Sequence, residues 1–289
     1  MRNLDFKKIR FVTQMIMVVS VILAAFNHYL SSIGKSITWI SESIFHYICP
    51  ICGVTSIYQF MTSSSLFVVK VKSILGLVIG AVIILSVLFG PVICGFLCPF
   101  GAIQDLCAKI GRKILKRKYN TFVPGSIDSK LKYVRYFSLI LTVILTATSG
   151  GVMILEKINP YHGFLSFFNR KFSATSIIVL ILIIGLSLII QRPWCKYICP
   201  YGAFLGLFNK IKVFRIIRKE GTCVGCRKCS KSCPMNIQVS EKDEVRDLSC
   251  ISCFDCVEEK VCPKQQTIYL SSEDEMDDDS LNNKITTIS

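Results

Sequence analysis

Fifteen of the 289 residues are cysteines, and eight of them form two runs near the carboxyl end. Cys223, Cys226, Cys229 and Cys233, followed by Pro234, read C-x2-C-x2-C-x3-C-P. Cys250, Cys253, Cys256 and Cys262, followed by Pro263, repeat the pattern with five residues before the last cysteine instead of three. Soft thiolates at this spacing suit iron–sulfur chemistry: three neighbours wrap one side of a cubane and a fourth, brought from further away, completes it. Zinc usually takes paired C-x2-C units, not triplets ending in C-P. Disulfides are disfavoured in a reducing compartment.

A second set of cysteines is arranged as an internal repeat. Residues 94–102 read CGFLCPFGA and residues 195–203 read CKYICPYGA, 101 positions apart. Each copy places two cysteines four residues apart, with proline directly after the second. Positions i and i+4 share a helix face, and the proline favours ending a helix there, which leaves a thiol in a turn. If the copies are related by symmetry, Cys94, Cys98, Cys195 and Cys199 converge at one level and can hold a third metal or cluster. The alternative is that they are buried thiols acting as small hydrophobes. A further C-P-x-C, Cys49 to Cys52, stands close to His46. It is a candidate redox or metal site, with a bound quinone as one reading.

The elements that must position these groups are mostly apolar. The chain is 52% hydrophobic and 18% charged, with mean hydropathy +0.52, which excludes disorder for most of its length. Runs at 11–30, 71–93, 133–155 and 176–191 are apolar over roughly the 20 residues a bilayer-crossing helix needs. Lys and Arg cluster before the first run, between the second and third, and after the fourth, which predicts both termini on the cytoplasmic side. The fold class expected is an α-helical membrane protein of four transmembrane helices in two repeated hairpins, with a small C-terminal α+β ferredoxin-like domain. The expected divisions are 1–218 for the helical part, 219–270 for the cysteine-rich part and 271–289 for a disordered tail with six acidic residues at 273–279. The expected location is the inner membrane, multi-pass, with the lipid bilayer as a partner. The stretches after the two repeats, Ile103, Leu106, Cys107, Ile110 and Ile114 in the first, read as amphipathic helices lying at an interface.

Charge follows the same division. Residues 1–219 hold 26 basic and 5 acidic residues, and residues 220–289 hold 8 and 14. The positive excess follows the loops and not a face with interleaved aromatics, so nucleic-acid binding is excluded.

With the doubled CxxxCPxGA and the two C-terminal runs together, the sequence resembles the NapH/NosR-type membrane ferredoxins over about residues 40–270. In two-cluster ferredoxins the fourth cysteine of each run serves the other cluster. Carried over, Cys223, Cys226, Cys229 and Cys262 hold one [4Fe–4S], and Cys250, Cys253, Cys256 and Cys233 the other. The resemblance implies electron transfer between a membrane donor, often quinol, and redox partner proteins or subunits of a respiratory complex. It also leaves a second function class open, an assembly or regulatory factor or a metal-ion reductase supporting a respiratory complex. No Ser-His-Asp arrangement, phosphate loop or paired carboxylates appear, so an electron-transfer subunit is expected in preference to a self-contained enzyme.

Overall fold

The computed structural model describes residues 5–32, 74–116, 119–120, 122–148, 160, 174–264 and 267–272. His46, Cys49 and Cys52, and the acidic tail from 273, lie outside the described residues.

Helix α1 runs Phe6–Ser32 and α2 Ile74–Phe89. A glycine–proline pair stops α2: Gly90 takes φ +76, a left-handed conformation that only glycine adopts freely, and Pro91 caps the short α3, Val92–Phe96. Then come α4, Pro99–Leu115, α5, Gly125–Leu131, and α6, Val134–Ala147. The second half repeats the theme with α7, Ala174–Ser187, α8, Pro193–Tyr197, and α9, Pro200–Gly206. α4 packs on α1 and α7, and α9 packs on α6. Their shared core holds Val21, Phe100, Ile183, Trp194, Tyr201 and Leu205, with Cys199 buried among them and Cys94, Cys98 and Cys195 packed against it.

Strand β1, Arg215–Arg218, pairs antiparallel with β2, Ile268–Ser271, from Arg215 opposite Ser271 to Arg218 opposite Ile268. The chain between them carries both C-terminal cysteine runs and one short helix, α10, Lys228–Ser232. Its core combines Ile216, Met235, Ile237, Val245, Ile251 and Phe254 with the sulfurs of Cys229, Cys250, Cys253 and Cys256. Phe6, Phe89, Val92, Cys94 and Phe96 of the helical part pack against that same core. The two parts therefore share an apolar seam.

Two expectations are corrected here. Among the described residues no helix is long and apolar enough to cross a membrane. The run at 71–93 is broken at Gly90–Pro91, so α2 has 16 residues, and α6 and α7 have 14 each, short of the roughly 20 a span requires. α1 is longer but opens on Lys7, Lys8 and Arg10 and buries Gln14 and Asn27. Four transmembrane helices are therefore not supported among the described residues. The multi-pass inner-membrane location, and the bilayer partner that went with it, lose their support on the same ground.

α4 buries a small and polar face. Its buried face is not the apolar stripe but Gln104, Asp105, Ala108 and Gly111, while Ile110 and Ile114 are exposed. The reason is close approach. A Cβ on Gly111 would fall 2.1 Å from the Leu188 carbonyl oxygen, so small residues let the end of α7 reach α4, and Asp105 is drawn inward by arginines.

Candidate iron–sulfur centres

Each repeat builds the same local device. In the first copy α3 ends at Phe96, Cys98 is extended, and Pro99 opens α4. Cys98 caps α4, its Sγ accepting from the Gly101 N–H at 3.5 Å. In the second copy Cys199 caps α9 ahead of Pro200, and its Sγ accepts from the Gly202 N–H at 3.3 Å. Proline is suited to the first helical position because no N–H is needed there. The cap directs a sulfur at free amide hydrogens, the place on a helix that favours negative charge.

The two copies face each other. Cys94, Cys98, Cys195 and Cys199 line one recess, closed by Ile93, Tyr201, Arg135 and the segment Ser249, Cys250 and Ile251. Gln104 donates from Nε2 to the Cys195 sulfur at 3.7 Å. Burial pushes the thiols of Cys94, Cys195 and Cys199 well above the usual cysteine range, so charge on these sulfurs needs a cationic partner in the recess. Among the described residues no three His, Cys, Asp or Glu side chains are grouped to hold a single ion. Four soft cysteine donors around one recess suit a cysteine-ligated cluster.

A second recess lies behind the first. Cys233, Cys250, Cys253 and Cys256 line it together with Ile216, Met235, Ile251 and Phe254. Burial raises Cys233 to about 11 and pushes Cys253 and Cys256 well above the usual cysteine range. These are the four cysteines that the crossed pattern groups together. The other four have a different setting. Cys229 is buried, Cys223 and Cys262 are half-buried and Cys226 is exposed. The Gly225 N–H and then Arg218 hold the Cys223 thiol below its usual range, and the Cys262 thiol donates to the Lys264 carbonyl at 3.2 Å.

The C-terminal segment is fastened to the repeats where the recesses meet. Asn209 donates to the Cys250 carbonyl at 2.7 Å and to that of Leu248 at 3.4 Å. A Cβ on Gly95 would lie 2.7 Å from the Ile251 carbonyl oxygen, and one on Gly206 2.4 Å from that of Leu248. The repeat is asymmetric at these points: Lys196 occupies the position equivalent to Gly95, and Asp105 the one equivalent to Gly206. Lys196 is buried and paired with Asp128 at 2.6 Å. The cysteine segment thus docks on one glycine from each copy, and the equivalent position in the opposite copy carries a charged side chain in a buried ion pair.

Asp105 organises the opposite wall. It accepts from Arg192 at 2.6 and 3.0 Å, from Arg10 at 2.6 Å and from Gln14 at 3.1 Å. Arg192 in turn donates to the Cys94 carbonyl at 2.7 Å, and Arg10 bridges to Asp255 beside Cys256 at 2.5 Å. Sequence reading missed Arg10, Asp105, Arg192, Asn209 and Gly95. The available signal was an isolated acidic residue, Asp105, in a segment otherwise basic or apolar.

Cysteines in paired C-x3-C-P turns around one recess, next to a segment of C-x2-C-x2-C runs, define a protein built to hold cysteine-ligated clusters. The family of 4Fe–4S binding domains matches residues 73–118 and 172–219, the two repeats, and the 4Fe–4S dicluster domain matches 215–263. The chain is 32% identical over 231 residues to YccM of Escherichia coli K12, which is named as a candidate electron transport protein; the match covers 77% of this chain and 62% of YccM, less than two thirds of that relative. It is 35% identical to the uncharacterized protein MJ0750 of Methanocaldococcus jannaschii, over 61% of this chain and 71% of that protein. It is 29% identical to the ferredoxin-type protein NapH of Haemophilus influenzae, over 71% of each. No solved structure matches it. The chain belongs to the NapH/NosR-type 4Fe–4S proteins.

Proposed function

We propose that the chain is an iron–sulfur electron relay with three cysteine-ligated centres in a row. The observation that carries this is a shared wall: Cys250 and Ile251 line both the four-cysteine recess of the repeats and the recess of Cys233, Cys250, Cys253 and Cys256. In this reading Cys94, Cys98, Cys195 and Cys199 hold the innermost centre. Cys250, Cys253, Cys256 and Cys233 hold the middle one, and Cys223, Cys226, Cys229 and Cys262 hold the outer one. Bound clusters supply one-electron redox chemistry, and the protein fixes their spacing and surroundings. The chain's own part is to seal the inner thiols from water, clamp the 248–253 segment against the repeats, and leave Cys226 at the surface for a partner. YccM and NapH, named for electron transport and as ferredoxin-type, support the relay role. The partner is a redox protein.

The test is iron and acid-labile sulfide on the anaerobically purified full chain. About twelve iron atoms are expected if all three centres are cubanes. The double variant Cys94→Ser/Cys195→Ser is expected to fall to about eight while keeping the spectroscopic signals of the two outer centres. A wild-type protein with eight iron atoms and four freely alkylated thiols would remove the inner centre and with it the three-centre relay.

A further inference from the structure

Arg135 lies on α6, outside every cysteine motif, yet it lines the inner recess opposite the repeats. It is 2% exposed. Its Nη2 donates to the Tyr136 hydroxyl at 3.1 Å, and the guanidinium carbon sits 5.0 Å from the centre of that ring. Its buried Nε has no hydrogen-bond partner, and among the described residues no carboxylate forms an ion pair with it. Arg192, the other arginine acting on these thiols, is already neutralised by Asp105. A cation removed from water without an anion is strongly disfavoured. The candidates nearest in the recess are the four sulfurs, and the charge of Arg135 acts on Cys94.

We propose that Arg135 is a positioning residue whose positive charge balances the anionic four-thiolate centre of the inner recess and raises its reduction potential. The proposal rests on the reading that this recess binds a cluster. Four thiolates around an iron–sulfur core leave a net negative charge, and accepting one electron adds another. A fixed cation at the wall stabilises the more negative, reduced form, and net charge is among the factors that set such potentials. Next to the inner recess the chain supplies this charge from outside the ligand loops, so the ligands themselves need not change.

An EPR-monitored redox titration of the full chain with dithionite as reductant, alongside iron and sulfide analysis, tests this. In Arg135→Gln the signal that Cys94→Ser abolishes is expected to shift to lower potential by a tenfold or larger change in its reduction equilibrium, ~59 mV per tenfold for one electron. The signals of the other centres are expected to stay in place. Arg135→Lys, which keeps the charge, is expected to recover most of the shift, and Tyr136→Phe, which keeps the arginine, to leave the potential near wild type. Loss of the inner iron in Arg135→Gln but not in Arg135→Lys would also support charge balance. Unchanged potential and iron in Arg135→Gln, or equal effects of Gln and Lys, would overturn it. A wild-type chain without the inner centre would instead remove the reading on which the proposal stands, before any variant is compared.

Discussion

Replacing Asp105 by alanine is expected to destabilise the protein by about 3–5 kcal/mol, the usual cost of stripping one partner from a buried ion pair. Asp105 holds two guanidiniums at once, Arg10 and Arg192. Both arginine side chains are at least nine-tenths buried, so neither regains water when the carboxylate goes. Burial alone would raise the Asp105 carboxyl, but Arg192 and then Arg10 more than offset it and hold it well below the usual carboxylate range. A carboxylate whose folded value is depressed contributes stability at every pH above its unfolded value, near 3.9, and loses that contribution as pH falls further toward the folded value. Denaturant unfolding at neutral pH, followed by a melt series into acid, measures both. The variant should lie far below wild type at pH 7 and converge on it in strong acid. A difference under about 1 kcal/mol at pH 7, the worth of an exposed pair, would show that the arginines find other anions. The effect also reaches the site, because Arg192 holds the Cys94 carbonyl and Arg10 ties α1 to Asp255 beside Cys256.

How far the sequence foretells this arrangement depends on the distance between cause and effect along the chain. Cysteine spacing is local, and the grouping of Cys233 with Cys250, Cys253 and Cys256 in one recess follows the crossed pattern. The repeat was equally plain, and its prolines stop the short helices before Cys98 and Cys199 as expected. Hydropathy misleads at 71–93 because it counts apolar residues without asking whether they are helical. Gly90 and Pro91 divide the run, and α2 ends inside it. α4 shows what local pattern does not say. The face that packs is the one with Ala108 and Gly111, where backbones come closest, and with Asp105, which meets arginines from α1 and from the turn before α8. Nothing near residue 105 announces partners 95 and 87 positions away. Arg135 is the same kind of case. A single arginine near one end of an apolar run reads as a boundary residue until the fold puts it beside four sulfurs.

The asymmetry between the repeats leads to the second large effect. Gly95→Ala and Gly206→Ala should each loosen the 248–253 segment from the repeats while leaving its cysteines intact. The added methyl at Gly95 meets the Ile251 carbonyl oxygen and lies 3.4 Å from the Cα of Cys253. At Gly206 it meets the Leu248 carbonyl oxygen, which is backbone and cannot rotate away. Overpacking of this kind costs about 1–3 kcal/mol. If that cost falls on docking, the undocked population rises about 5–150-fold. Amide exchange in 248–253 should quicken correspondingly, and electron equilibration across the Cys250–Ile251 wall should slow, with iron content unchanged. Gly80→Ala is the control: it is helical with nothing within 4 Å of an added Cβ, so it should be neutral or slightly stabilising. Exchange protection in the Gly95 and Gly206 variants that matches the Gly80 control would mean the segment yields without leaving the wall. Each copy gives the segment one glycine, Gly95 or Gly206, and at the equivalent positions stand Lys196 and Asp105, each held in a buried ion pair.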